Sequence, residues 1–526
     1  MGIVLQLERF AVERPAACET TTSTILQRLR DKMQKGSRTS ANSGGSSNKN
    51  FLVYETVLRT KLHTLECHFT WALIKDDLDL PSILNRLDEQ LNLDEGGKKR
   101  LAQTYNALAY VKYLQGLQKE SLSNLITSVK LNKECHEEEF HKALIVTYGN
   151  LAWINYHMKN YTECESYLQK VKNINENISS ESSSVPEVLD EKGWTFLKFS
   201  SKYYESAKEC FKKALDLKPE DGELNAGYAI ALYRTEYGEF TIENSPTIKQ
   251  LRRAIETNPD DDVLKVLLAL RLSKYNSVNE PEKLVKEALE RSPNHPHVMR
   301  YVGKFFRNRG SEDSGILILS KALELSPNSS FIHHQLALCY EMKKIQLLRE
   351  AYHHARSSWV QQIRDQIIYH LEMATTHAPC FITAMSDLAL HYGERREIPR
   401  AEEMFQMIFK TAKEKNDNLH VVHFYYAEFQ LHINRSEALA IKHYMECLKM
   451  SPGSPEGRKS ARGLRKIAWK WINENTQDAE AYGILGFIHK VKGEKSQAIE
   501  CYEKALSYGD NDEYLTNLCA LRLSIQ

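Results

Sequence analysis

The chain has 526 residues, 42% of them hydrophobic and 26% charged, with 70 basic side chains against 69 acidic ones. That apolar share can bury a core and excludes wholesale disorder, and no apolar run is long enough for a membrane span, since the best stretch, Val263 to Leu272, is broken by Lys265 and Arg271. A net charge of +1 excludes a uniformly basic coat but allows a local basic groove balanced by acid elsewhere.

At the N-terminus, Met1-Gly2-Ile3-Val4-Leu5-Gln6 lacks a signal-peptide core and the Ser or Thr that myristoylation prefers at the sixth position. Ten cysteines run from Cys18 to Cys519 without a CxxC pair, which reads as reduced thiols used mainly as small core residues. Both features predict a soluble cytoplasmic protein. Residues 36–50 hold no large apolar side chain, so 1–50 are expected to be mainly a flexible tail, with room for a short helix around Ile25 to Met33.

From Phe51 onward the periodicity is helical, and one spacing recurs. Ala207, Phe211, Ala214 and Pro219 stand at intervals of four, three and five, as do Ala440, Tyr444, Cys447 and Pro452, and again Gly315, Leu319, Ala322 and Pro327. Leu251, Ala254 and Pro259 repeat the last part, and Leu485, Gly486, Ala498, Tyr502 and Ala505 belong to the same pattern. This is the tetratricopeptide (TPR) pattern of two antiparallel helices, small residues where they cross, an aromatic wedge, and Pro after the second helix. The predicted fold is all-α, a superhelical array of TPR helix pairs. Its expected parts are an N-terminal subdomain over 51–172, a central one over 188–378 and a C-terminal one over 379–526. A Ser-rich loop, Ile178 to Pro186, precedes the central part, and an irregular insert runs from Gln346 to Gln362.

Signatures of catalysis are missing: there is no Walker A loop, no GxGxxG after a strand and no GxSxG. His136 and His141 are five residues apart and point to different sides of a helix, a poor arrangement for one zinc ion. Neither a metal nor a cofactor is expected.

Basic residues interleaved with aromatics are more informative. Arg300, Lys304 and Arg307 form one stripe of a helix that carries Gly303 at its small TPR position, which makes it the first helix of a repeat and one that lines the concave surface. Three aligned cations repel one another, so the stripe is either a solvated face or a seat for phosphate. Trp194 and Lys198 are one turn apart with Tyr203 and Tyr204 following, and the Trp can be core or a stacking surface for a base. Arg86 and Gln90 form another such pair, which alone reads as surface. His333, His334 and Gln335 open a repeat with polar groups. Arg458 to Trp471 packs six cations and two Trp into fourteen residues, either a rim patch for nucleic acid or a plain basic helix.

Several segments resemble the interferon-induced proteins with tetratricopeptide repeats. They are Cys67-His68-Phe69-Thr70-Trp71, Leu108-Ala109-Tyr110-Val111-Lys112, Gly149-Asn150-Leu151-Ala152-Trp153, Gly193-Trp194, Gly227-Tyr228-Ala229-Ile230, Lys265 to Leu270, Lys304 to Arg307 and His333-His334-Gln335. The resemblance covers roughly 55–526. It implies a cytoplasmic, interferon-inducible antiviral protein that holds the 5′ end of single-stranded RNA in a basic central tunnel, with no cofactor and no catalysis, and with homo- or hetero-oligomers among family members. Carried over by position, it assigns the 5′ phosphates and first nucleotides to Lys198, Tyr204, Arg234, Lys265, Arg300, His334, Gln335 and Phe381. It assigns a cap to Trp194, Arg86 and Gln90. Three departures bear on this: Val263 stands where relatives often carry Tyr, Ala378 stands where Lys is expected, and the loop after Gln90 (Leu93 to Gly97) is shorter. The alternative is a TPR scaffold that clamps a peptide carboxylate, with Asn106 and Asn150 as candidate donors, or a regulator of related TPR proteins.

Overall fold

The structure, a computed structural model, describes residues 44–93, 97–134, 137–178, 185–238, 240–275, 279–350, 358–415 and 418–524. Residues 1–43, where most of the predicted tail falls, lie outside this set, as does His136. Among the described residues there are 24 α-helices, three short 3-10 helices and no strand.

In chain order the helices are α1 (Gly44–Leu62), α2 (Leu80–Leu93), α3 (Gly97–Leu114), α4 (Gln118–Lys133), α5 (Glu137–His157) and α6 (Tyr161–Asn177). They continue with α7 (Pro186–Phe199), α8 (Tyr204–Leu217), α9 (Gly222–Thr235), α10 (Pro246–Thr257), α11 (Asp262–Leu272) and α12 (Asn279–Arg291). Next come α13 (Pro296–Asn308), α14 (Glu312–Leu325), α15 (Ser330–Glu350), α16 (Ser358–His377), α17 (Ile382–Glu394) and α18 (Ile398–Lys415). The last are α19 (Leu419–His432), α20 (Glu437–Met450), α21 (Pro455–Glu474), α22 (Ala479–Lys492), α23 (Lys495–Tyr508) and α24 (Asp512–Leu523). The first helix begins at Gly44, inside the segment expected to be tail.

The chain divides into two compact units, and the division is not sequential. The first holds residues up to 73 and from 96 to 183, and the second holds 74–95 together with 184–526. In the first unit α3 pairs with α4 and α5 with α6. Asn106 and Asn150, the proposed carboxylate donors of the peptide-clamp alternative, are each 1% exposed. The amide of Asn106 donates to Thr147 Oγ1 (2.9 Å), and that of Asn150 lies 3.1 Å from His68 Nδ1. Both amides are committed to the interior and face no peptide.

In the second unit each helix packs on its successor, and helices two apart also touch: α7 meets α9, α11 meets α13, α13 meets α15, α17 meets α19 and α19 meets α21. The repeat spacing explains this packing. Phe211 of α8 is fully buried, and a Cβ at Gly193 or Gly227 would stand 2.7 or 2.4 Å from its ring, so α7 and α9 close on it only because both positions lack a side chain. Asp221, Asp261 and Asp478 cap α9, α11 and α22 by accepting from backbone N–H groups in the first turn.

Residues 74–93 belong to this second unit and are fastened at several points. Lys202 Nζ lies 2.6 Å from Asp77 Oδ1, and the Tyr203 hydroxyl accepts from Ile74 N at 3.0 Å. From the far end of α18, Lys415 Nζ donates to the carbonyls of Asp76 (2.7 Å) and Leu78 (3.1 Å). Asn85 on α2 donates to the carbonyl of His377 at the end of α16 (3.0 Å). Thus α2 packs on both α7 and α16.

Candidate nucleic-acid interface

Helix α2 supplies Arg86, Glu89 and Gln90; α7 supplies Trp194 and Lys198; α8 opens with Tyr204; α9 ends on Tyr233 and Arg234; and α13 carries His297, Arg300, Tyr301, Lys304 and Arg307. Arg234 Nη1 donates to the carbonyl of Leu197 near the C-terminus of α7 (2.6 Å), where the helix dipole favours a cation, and its guanidinium lies 4.9 Å from the centre of the Tyr204 ring. Arg300 lies over the rings of Tyr301 (5.1 Å) and Phe331 (5.7 Å). Aromatic faces fix both guanidiniums without neutralising them.

Charge accumulates at this point. Arg86 is exposed to solvent, yet its pKa is lowered by desolvation first, with Arg234 and Arg300 pulling the same way and Tyr204 and Asp79 opposing. Water therefore reaches a guanidinium that protein crowds on several sides, beside two more of the same sign. Burial also lowers Lys304, with Arg307 assisting and Tyr301 opposing. His297 is driven well below its ordinary value by burial and then by Arg300, His295 and Lys198, so it stays neutral among cations. Burial would raise Tyr301, but Arg300, Arg234 and Lys304 outweigh it and the hydroxyl becomes more acidic. Burial followed by Tyr301 pushes Tyr233 up to about 12.

Among the described residues no ion pair joins Arg86, Arg234, Lys304 or Arg307 to a carboxylate, and Arg300 comes only within 3.9 Å of Glu89 Oε2. The Nε atoms of Arg300 and Arg307 and Oε1 of Glu89 are buried without a hydrogen-bond partner. Leaving the two Nε donors empty costs roughly 1–3 kcal/mol each, which an incoming anion would recover, whereas Glu89 Oε1 is an acceptor that an anion does not satisfy.

Lys265 is placed differently. It is 8% exposed, and its Nζ lies 2.8 Å from Asp262 Oδ1 one turn earlier. Asp262 also accepts from Ser292 Oγ (2.7 Å). Its charge is therefore already matched. His334 Nε2 lies 2.8 Å from Asp387 Oδ2 and its ring meets Phe381 edge-on at 4.9 Å. Gln335 is 5% exposed, with a buried Oε1 that has no partner. Trp194 is half-buried, edge-to-face with Phe211 at 5.6 Å, so part of the indole packs and part reaches water. Of the departures, Val263 is half-buried and Ala378 buried.

Sequence reasoning missed Tyr301, His297 and Asp387. His297 lies on the Arg300 stripe and was open to detection by spacing, while Tyr301 is the next residue along the helix. Asp387 reaches His334 from 53 residues away, and local pattern carries no trace of that contact. As assembled, these cations and aromatic faces can hold an anion.

A tetratricopeptide-repeat profile matches residues 145–178, 196–221 and 479–508. The human antiviral innate immune response effector IFIT1 is 36% identical over 457 residues, 85% of this chain and 95% of that protein. Human interferon-induced protein with tetratricopeptide repeats 2 is 34% identical over 468 residues, 86% and 96% of the two chains. Among solved structures, the human IFIT1 dimer with PPP-AAAA is similar with a TM-score of 0.72 at 35% identity, and the dimer with m7Gppp-AAAA with 0.74 at 34%; each match covers 86% of this chain and all of the other. No described helix is long and apolar enough to cross a membrane.

Proposed function

Because this chain belongs to the interferon-induced proteins with tetratricopeptide repeats, we propose that it binds single-stranded RNA by its 5′ end, as a triphosphate or as a cap lacking 2′-O-methylation, and withholds that RNA from translation in antiviral defence. The observation that carries this reading is the convergence of Arg86, Arg234 and Arg300 with no carboxylate salt-bridged to the first two among the described residues. Phosphates pair with Arg234, Arg300 and Lys198, where charge-assisted hydrogen bonds gain strength from partial exclusion of water. Tyr204, His334, Gln335 and Phe381 meet the first riboses and bases, and Lys265 joins them only by leaving Asp262. A cap guanine stacks on Trp194, with Arg86 and Gln90 beside it, contributing about 1–3 kcal/mol. A surface fitted around the first riboses leaves little room for an added methyl. The protein acts in the cytoplasm by binding rather than catalysis, without cofactor or metal, and assembles with itself or with family relatives, which it can thereby regulate.

One titration tests this. Arg234→Glu abolishes binding to 5′-triphosphate RNA while the helical circular dichroism stays intact, and Trp194→Ala weakens capped RNA more than triphosphate RNA. Unchanged affinity of the Arg234 variant would overturn the proposal, and equal losses for both ends would remove the stacking role.

A further inference from the structure

The basic segment Arg458–Trp471 is not absorbed by the cluster above. It lies on α21, whose buried face is Gly457, Ser460, Ala461, Leu464, Ile467, Ala468 and Ile472. The opposite face carries Arg458, Arg462 and Lys466 at successive turns, all exposed, followed by Trp469, which is 50% exposed. A solvated helix face is the ordinary explanation for such a row, and other helices of this unit show what that looks like. On α12, Lys283 and Lys286 reach Glu287 and Glu290; on α18, Lys410 reaches Glu414; on α23, Lys504 reaches Glu500. By contrast, among the described residues no carboxylate pairs with Arg458, Arg462 or Lys466. At the C-terminal end of this helix Glu437 takes Lys470 (2.7 Å) and the indole N–H of Trp471 (3.0 Å).

Position adds a second observation. Helix α21 packs on α19, which packs on α17, within the same unit that carries Lys198, Arg234 and Arg300. Lys459 anchors α21 on α19 by lying 5.2 Å from the Phe424 ring. The two regions also sense each other: Lys274, just after α11, is lowered by burial, then by Arg271 and Lys304, and also by Arg458.

We infer that the exposed face of α21 formed by Arg458, Arg462, Lys466 and Trp469 carries the downstream part of the RNA strand whose 5′ end the basic cluster holds. This rests on the function proposed above. Cations at one-turn spacing along a surface suit a phosphate backbone, and an exposed indole among them stacks a base of any sequence.

The test compares 5′-triphosphate oligonucleotides of about 4 and about 20 nucleotides, lengths that bracket single-strand site sizes. The wild-type protein binds the longer strand at least about tenfold tighter, roughly the 1.4 kcal/mol expected of one stacked base. The double variant Arg462→Glu/Lys466→Glu loses that advantage while the short strand binds as before, and its salt slope on the long strand falls by about 1.4. The milder Arg462→Gln/Lys466→Gln pair loses part of it, which separates charge from any change of fold. An equal affinity of wild type for both lengths, or a double variant that keeps the advantage, overturns the inference. So does loss of a bound acidic protein from the double variant with the RNA advantage retained, since that would assign the face to a protein partner. Failure of the 5′-end reading is distinguishable, because then the short triphosphate strand does not bind at all.

Discussion

Single residues differ in how far their surroundings have prepared them. Arg234 is held by a carbonyl and an aromatic face, neither of which cancels its charge, whereas Lys265 is closed onto Asp262. Breaking a buried pair leaves a carboxylate uncompensated, so the cost falls on stability before it falls on binding. Lys265→Ala is therefore expected to lower the melting temperature by several degrees while reducing triphosphate-RNA affinity far less than Arg234→Glu; equal losses of affinity would show that Lys265 turns toward the phosphate. This contrast was partly legible in advance, since Asp262 and Lys265 stand three apart on one helix. The resemblance that put Lys265 among the RNA contacts transferred a position and not its acidic neighbour.

Helices, unlike individual side chains, were largely readable from spacing. The interval of four, three and five located α8, α14 and α20, with Pro marking where each ends, because small and aromatic residues must recur wherever helix pairs cross. Gly227 shows how tight that requirement is, with Phe211 at 2.4 Å from where its Cβ would be. Gly227→Val should destabilise the second unit by about 1–3 kcal/mol, read as a lower denaturation midpoint, and an unchanged midpoint would mean that α8 and α9 separate without cost. What spacing did not reveal is the place of α2. It carries Arg86 and Gln90, but no periodicity says that a helix between residues 80 and 93 packs on α7 and α16. Asn85 meets the carbonyl of His377, 292 residues away, and Lys415 reaches 339 residues back to Asp76 just before α2, and a distant partner leaves no local mark.

At the scale of the molecule, a near-neutral total conceals a local excess of positive charge where Arg86, Arg234 and Arg300 meet, while helices such as α12 and α18 carry mixed pairs. Two imidazole contacts in the second unit, one buried and one half-buried, give its stability a pH dependence. Nδ1 of His333 and of His370 lie 3.0 Å apart, and those of His423 and His443 2.9 Å apart. Burial and then the neighbouring ring lower His370 to about 4, and burial followed by His423 lowers His443 to about 4. Since these folded values lie below the ordinary 6.5, the unfolded chain binds protons first. Stability is therefore whole above pH ~6.5 and declines as the pH falls toward ~4. Thermal melts across that window should show the decline, and His370→Gln should flatten it; a melting temperature constant from pH 7 to 5 would contradict the assignment. Lys202 and Lys415 both grip the few residues that lead into α2, so replacing either is expected to loosen the hold on Arg86 and Gln90 without removing a cation from the cluster.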